Sequence, residues 1–325
     1  MMGFEEEEMT VSAFEKLRSR TGTVLSPAQK LMRSLRAVKS PEEQETMRKA
    51  QCLADGVFRE ILEFIRPGMT EKQVAAELTY RLLLRGAEGN SFDPIVVSGR
   101  KSSMPHGVPG ENVIQKGDFL TMDFGCLLDG YCSDMTRTIG IGNVSEAMKR
   151  DYTLVLKGHI RLSTAAFPAG TRGDQLDALA RIDLWRDAKT YRHGTSHGVG
   201  HYLGCHEGPM SVRMEHNPQP LMPGMVISNE PAIYLGGQYG IRHENCILVR
   251  PLDPASDAPD ATPCDQSEQG DFLCFENLTL CYLDTSCLDL SVLNQEEIDW
   301  INDYNQRVFD ELKGDLGEED GIWLA

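Results

Sequence analysis

Positive charge is scarce in this chain: 32 Lys and Arg stand against 49 Asp and Glu, for a formal net charge of −17 and a pI near 4.9. An acidic surface repels phosphate backbones and anionic lipid, so neither nucleic acid nor a membrane is expected as a partner. No run of about 18 apolar residues occurs, which removes a membrane-spanning helix. The nine cysteines (52, 126, 132, 205, 246, 264, 274, 281, 287) include no Cys-x-x-Cys pair. A zinc ribbon is thereby excluded, and an odd, scattered set of thiols fits a reducing compartment. The opening MMGFEEEEM has neither a basic segment nor an apolar run, so the expected location is the cytoplasm. Apolar residues are plentiful: 41% of 325 residues suffices for a substantial core.

Residues 1–39 predict an acidic strand or turn, a short helix over Val11–Arg18 and a basic connector, too little for a domain. At Ser40-Pro41-Glu42-Glu43 a capping box with proline at the first helical position opens an amphipathic helix to about Ile65, closed by Pro67-Gly68. Thr70 to Gln73 opens a second, ending at Gly86. SFDPIVVSGRKSSMPHGVP has the glycine, proline and short apolar runs of strands and loops. Residues 118–141 alternate around Asp129-Gly130, a turn dipeptide, and predict two paired strands. Helical patterns at 145–166 and 172–187 follow. MVISNEPAIYLGGQYGIRHENCILV reads as a second hairpin turning at Gly236-Gly237. Helices then hairpin, twice over, suggests two similar halves. Residues 250–270 read as a solvated excursion, FLCFENLTLCYL as strand, and a last helix capped near Asn294 runs to about Leu312. The terminal Trp323-Leu324 is expected to dock on the body.

A two-residue turn at Asp129-Gly130 pairs 125 with 134 and 123 with 136, making Asp123 and Asp134 diagonal neighbours on one face. A turn centred on Gly237 pairs Glu230 with Glu244. One acidic residue beside a turn is ordinarily solvated, but four carboxylates brought together need compensating cations. Oxygen and imidazole donors without thiolate favour Mn, Co, Zn or Fe, with oxygen-rich ligation leaning to Mn. Residues 192–209 carry four of the eight histidines (193, 197, 201, 206), set among glycines that permit close approach of a ligand. Strand alternation puts Arg242 on the face of Glu244, as an orienter of carboxylates, and turns His243 away. Tyr234 shares the face of Glu230 as a weaker candidate. His201 reads as rim or surface, His159 and His216 as structural, and Cys126, Cys132 and Cys205 as neither nucleophile nor ligand.

The ordered set Asp123, Asp134, His197, Glu230, Glu244 resembles the five-ligand signature of pita-bread metallopeptidases, the group of methionine aminopeptidases, prolidases and Xaa-Pro aminopeptidases. The likeness covers roughly residues 40–325. HGTSHGVG with HEGP downstream, and NEPAIYLGGQYGIRHEN, are similar to the proline-specific branch, which has a histidine four residues before the metal histidine. The resemblance implies an α+β pita-bread fold: two similar halves of helices packed on a curved, mostly antiparallel sheet. Residues 40–325 would be the catalytic domain and residues 1–39 the remnant of an amino-terminal domain. Two divalent ions are implied, Mn2+ first, with Co2+, Zn2+ and Fe2+ as alternatives. Asp123 would hold one, His197 and Glu230 the other, with Asp134 and Glu244 bridging. His106, His193 and His206 match family positions that stabilise the tetrahedral intermediate, and Glu230 also matches a proton shuttle. The implied activity is hydrolysis before a proline in second position, with peptides as partners and a homodimer allowed. HEGP, FENLTL and the last helix favour an aminopeptidase over an Xaa-Pro dipeptidase. His193 argues against a methionine aminopeptidase, and the complete ligand set against a catalytically inactive binding module.

Overall fold

The computed structural model describes residues 1–253, 257 and 271–312. Strands β1 (Met2–Phe4) and β2 (Leu25–Pro27) form a parallel pair around helix α1 (Val11–Thr21). The expected basic connector holds a second helix, α2 (Gln29–Ala37). It has no conventional cap; instead Glu6 Oε2 accepts from Ala28 N (3.1 Å) and Gln29 N (3.0 Å). That substitute for a cap comes from far away in the chain, which is why local signals miss the helix.

The first half is a helix pair on a sheet. Helix α3 (Pro41–Phe64) starts at the Ser40/Glu43 capping box and α4 (Glu71–Leu84) at the Thr70/Gln73 box. They bury Ala54, Val57, Phe58, Ile61, Val74 and Leu78 against β4 (Ile95–Ser98), β5 (Phe119–Phe124) and β8 (Met135–Gly140), an antiparallel sheet in the order β4-β5-β8; a second, short three-stranded sheet follows the order β3 (Gly89–Asn90), β6 (Cys126–Leu128), β7 (Tyr131–Cys132). Each of the larger of these buried side chains contributes about 1.5–3 kcal/mol.

The second half repeats the order. Helices α5 (Glu146–Ser163) and α6 (Gly173–Arg186) precede β10 (Ser196–Val199), β11 (His206–Val212), β12 (Val226–Asn229), β13 (Ala232–Leu235), β14 (Tyr239–Arg242), β15 (Asn245–Pro251) and β16 (Phe272–Asn277), with β9 (Phe167–Pro168) at the sheet edge. The large sheet runs β11-β10-β12-β15-β16-β9, antiparallel throughout. The strand expected through FLCFENLTLCYL stops at Asn277, where Leu278 N turns to Cys246 O (2.9 Å). Helix α7 (Gln295–Leu312) begins at Asn294, whose Oδ1 accepts from Glu297 N (2.8 Å), and packs Ile301, Tyr304 and Val308 against α5. Helices followed by antiparallel strands, twice over, agree with the two similar halves expected of a pita-bread fold. Most of the excursion at 250–270 and the Trp323-Leu324 segment lie outside the described residues.

Among the described residues no helix is long and apolar enough to cross a membrane.

Candidate metal centre

Both hairpins keep the register expected from their turns. Asp123 pairs with Thr136 and Leu128 with Tyr131, while Asn229 pairs with Asn245 and Ala232 with Arg242. Each ladder breaks beside its carboxylates: Asp134 lies between β7 and β8, Glu230 between β12 and β13, Glu244 between β14 and β15. His197 sits at a bulge, where the β10–β11 register shifts between His197 and Gly198. Interrupted pairing re-aims side chains out of the regular alternation. The hairpins meet edge to edge, Glu244 N donating to Thr136 O (3.0 Å) and Arg242 N to Thr138 Oγ1 (3.1 Å).

This junction gathers the five side chains. Ligand atoms of His197, Glu230 and Glu244 lie within 4.8 Å of one another, as do those of Asp123, Asp134 and Glu244, and of Asp134, His197 and His206. His197 Nε2 stands 3.4 Å from Glu230 Oε1 and 3.5 Å from Asp134 Oδ2. Its Nδ1 faces Gly198 O at 2.9 Å, an arrangement that places the proton there and leaves the Nε2 lone pair for a cation. Thr136 Oγ1 donates to Glu244 Oε2 (2.6 Å) and Ser228 Oγ to Glu230 Oε1 (3.2 Å). Arg242 binds Asp123 Oδ2 through Nη2 and Tyr234 Oη through Nη1 (2.5 Å), and Tyr234 Oη meets His193 Nε2 at 3.2 Å.

Burial, reinforced by the neighbouring carboxylates, pushes Asp134 and Glu230 well above the usual carboxylate range and Glu244 up to about 8. Burial and the nearby His206 hold His197 down to about 3, and burial takes His193 to about 4. Such a cluster resists negative charge until a cation joins it, and its imidazole is already a neutral donor. Asp123 Oδ1 is buried without a hydrogen-bond partner, an orphan acceptor that a metal ion would satisfy. The donor set therefore fits divalent cations.

A cleft of about 260 Å³ opens over the cluster, and His106, His193, His206 and Arg242 line it with all five candidate ligands. Phe92, Ile95 and Pro105 give it an apolar wall, and Arg213 adds a cation. His201 stays outside, its ring 4.3 Å from that of Tyr131. His159 is buried with Nδ1 at Asn229 O (3.1 Å), and His216 is exposed beside Asp174. His243 faces away and packs edge-on against Tyr152. Thr136, Ser228, Phe92 and Arg213 were not foreseen. Thr136 and Ser228 each stand two residues from a candidate ligand, and that spacing is a signal they could have been found by.

Comparison with known proteins places this geometry. The chain is 39% identical over 299 residues to a probable Xaa-Pro aminopeptidase P of Laccaria bicolor, covering 86% of this chain and 45% of that protein. It is 39% identical over 252 residues to the uncharacterized peptidase YqhT of Bacillus subtilis, covering 76% and 70%. Among solved structures, the X-prolyl aminopeptidase of Caenorhabditis elegans, described as a cytosolic enzyme with a di-nuclear active site, superposes with a TM-score of 0.81 at 32% identity, over 93% of this chain and 49% of that one. The Xaa-Pro dipeptidase of Bacillus anthracis follows at 0.74 and 35%, over 87% and 73%. The chain thus spans about half the length of several curated relatives it matches. The profile of metallopeptidase family M24 matches residues 45–251 and that of the C-terminal region of peptidase M24 matches residues 271–325, and the chain belongs to metallopeptidase family M24.

Proposed function

We propose that this chain is a two-metal aminopeptidase that hydrolyses the bond between an amino-terminal residue and a following proline. The observation that carries the reading is the convergence of Asp123, Asp134, His197, Glu230 and Glu244 in overlapping triads, Glu244 belonging to two of them. Asp123 would hold one ion, His197 and Glu230 the other, with Asp134 and Glu244 bridging; four carboxylates and one imidazole favour Mn2+ over Co2+, Zn2+ or Fe2+. Bound there, two divalent cations lower the pKa of water and polarise the scissile carbonyl.

The chain's own side chains supply the rest. Glu230 Oε2 faces the cleft, 3.7 Å from His193 Nδ1, in a position to take the proton of the attacking water and pass it to the leaving nitrogen. His106, His193 and His206 line the cleft with the candidate ligands and would stabilise the charge that develops on the scissile carbonyl. Arg242 orients Asp123 and, through Tyr234, His193. A peptide bond to proline has no N–H to recognise, so selection rests on shape, and Phe92, Ile95 and Pro105 suit a pyrrolidine ring.

Dipeptide-only hydrolysis is a second reading, favoured by Arg213: a guanidinium on the cleft wall matches the carboxylate of a short substrate, though it also pairs with Glu215 (2.8 Å). The catalytic unit is residues 40–325, and a cytoplasmic setting suits the seven buried free thiols among the described cysteines.

The test uses metal-stripped protein reloaded with Mn2+, Co2+ or Zn2+ and offered Xaa-Pro, Xaa-Pro-Xaa and Met-Ala-Ser peptides, products being read by mass. Release of the first residue from Xaa-Pro-Xaa is expected. Cleavage of dipeptides alone favours the second reading, and release of Met from Met-Ala-Ser without action on proline peptides overturns both.

A further inference from the structure

Arg137 is 1% exposed, yet all six of its hydrogen bonds run to neutral acceptors. Three lie on the side of the metal centre: Thr136 O (2.9 Å), Glu244 O (2.7 Å) and Asn245 Oδ1 (2.8 Å). The other three belong to the carboxy-terminal region: Tyr282 O (3.0 Å), Cys281 O (2.9 Å) and the Tyr304 hydroxyl of α7 (2.9 Å). Tyr304 in turn lies 3.0 Å from both Thr279 O and Cys281 O. A guanidinium is a flat, rigid fork with five N–H groups, so its partners on one side fix the position of those on the other.

Of the three residues it grips on the metal side, one is Glu244 itself and another, Thr136, holds the Glu244 carboxylate. Thr136 holds Glu244 twice, through the side chain (Oγ1 to Oε2, 2.6 Å) and through its carbonyl, which accepts from Glu244 N (3.0 Å). Burying a cation without a carboxylate in contact is costly, and a packed apolar side chain would fill the same volume more cheaply. Packing therefore does not account for an arginine here, whereas a fixed six-way junction does.

We propose that Arg137 is a positioning residue that couples the carboxy-terminal region to Glu244, so that residues 279–304 set the affinity of the centre for its cations. This rests on the two-metal reading above. Among the described residues, helix α7 and the segment before it form no hydrogen bond to the side chains of the five ligands; they reach Glu244 itself through the guanidinium, while Tyr304 Oη and Thr279 Oγ1 accept from its neighbours Asn245 Nδ2 (3.4 Å) and Cys246 N (2.8 Å).

The test measures Mn2+ binding by titration calorimetry on folded protein, for the unaltered chain, Arg137→Lys, Tyr304→Phe and Val308→Ala. Lysine keeps the charge but loses the fork; phenylalanine removes one acceptor; Val308→Ala loosens the same helix without touching the guanidinium. The expected result is that Arg137→Lys binds Mn2+ about 10- to 100-fold more weakly, Tyr304→Phe is weakened in the same direction by less, and Val308→Ala is unchanged. Saturating Mn2+ restores peptide turnover in Tyr304→Phe. Unchanged affinity in Arg137→Lys and Tyr304→Phe overturns the proposal, as does an equal loss in Val308→Ala, which would mark a stability effect. Should Arg137→Lys fail to fold, the comparison of Tyr304→Phe with Val308→Ala decides alone. If the unaltered chain binds no Mn2+, Co2+ or Zn2+, the two-metal reading falls and this proposal with it; if it binds and the variants match it, only this proposal falls.

Discussion

The hairpin of residues 119–140 and the hairpin of residues 226–251 each deliver two carboxylates, and they break their ladders by opposite means. In the first, Gly125 lets the strands close up: a Cβ there would stand 1.9 Å from Ser133 O. Ser133 Oγ then accepts from Cys126 N (2.8 Å), and pairing resumes with Asp134 turned into the site. In the second, Pro231 has no N–H to give, and the neighbouring Glu230 N leaves the hairpin for Thr195 O (2.9 Å). One break comes from a missing side chain and the other from a missing donor. The lesson is that a metal centre can be built at defects in two otherwise regular hairpins.

A second contrast lies behind them. Helix α3 backs the first hairpin with Asp55, whose Oδ2 accepts from Leu280 N (2.8 Å). Helix α5 backs the second with His159. Burial acts on both and moves them in opposite directions, Asp55 up to about 7 and His159 down to about 3.

The largest way to break the comparison is to remove a carboxylate shared by two triads. Glu244→Gln is expected to lower peptide hydrolysis by about 10³-fold or more, because loss of metal-based charge stabilisation is worth several kcal/mol. Residual activity within tenfold of the unaltered chain, at saturating Mn2+, would place the chemistry elsewhere.

The pH response separates the two backing groups. The folded pKa of Asp55 lies above its ordinary 3.8, so the fold keeps a proton that the unfolded chain has released. Its contribution is present in full below about pH 4 and is lost as pH rises to about 7, on the order of 3 kcal/mol. His159 runs the other way: its pKa lies below the ordinary 6.5, so stability falls as pH drops from about 6.5 towards 3. Urea denaturation across pH 4–8 should show Asp55→Asn gaining stability at the alkaline end while the acid limb stays. An unchanged alkaline limb would show that Asp55 is ionised in the fold.

The turns and bends give a smaller contrast. Gly125→Ala forces a clash with backbone and should cost about 2–3 kcal/mol in urea denaturation. Gly237→Ala meets nothing within 4 Å and pays only for φ of +71°, about 1 kcal/mol. Equal costs would mean that the first hairpin can relax at its bend.

An effect of similar size is expected at the shared edge. Arg242→Lys keeps a charge near Asp123 but cannot also reach Tyr234 with a planar fork, so turnover should drop about tenfold. Tyr234→Phe tests the same chain from its far end, and a drop in only one of the two variants would uncouple Asp123 from His193.

Much of this was legible beforehand. The capping boxes at Ser40 and Thr70 are local chemistry and located α3 and α4; the dipeptide Asp129-Gly130 and the turn centred on Gly237 each set a register that brought the carboxylates of each hairpin near one another, while the breaks at Asp134, Glu230 and Glu244 aimed them. Helix α2 was illegible because its cap, Glu6, lies 23 residues from Gln29. The early end of β16 follows from a contact with Cys246 in another strand, for which FLCFENLTLCYL holds no sign.

By itself, then, the sequence determined the pairs: turn chemistry and period-two alternation act within a few residues and need no partner. Only the tertiary structure decided that the pairs share one site, because Thr136 and Glu244 meet across 108 residues. It also decided that Arg137 lies beneath them, held by Tyr304 at a further remove. Contacts at such separation follow from how the two halves and α7 pack, and no local spacing encodes them.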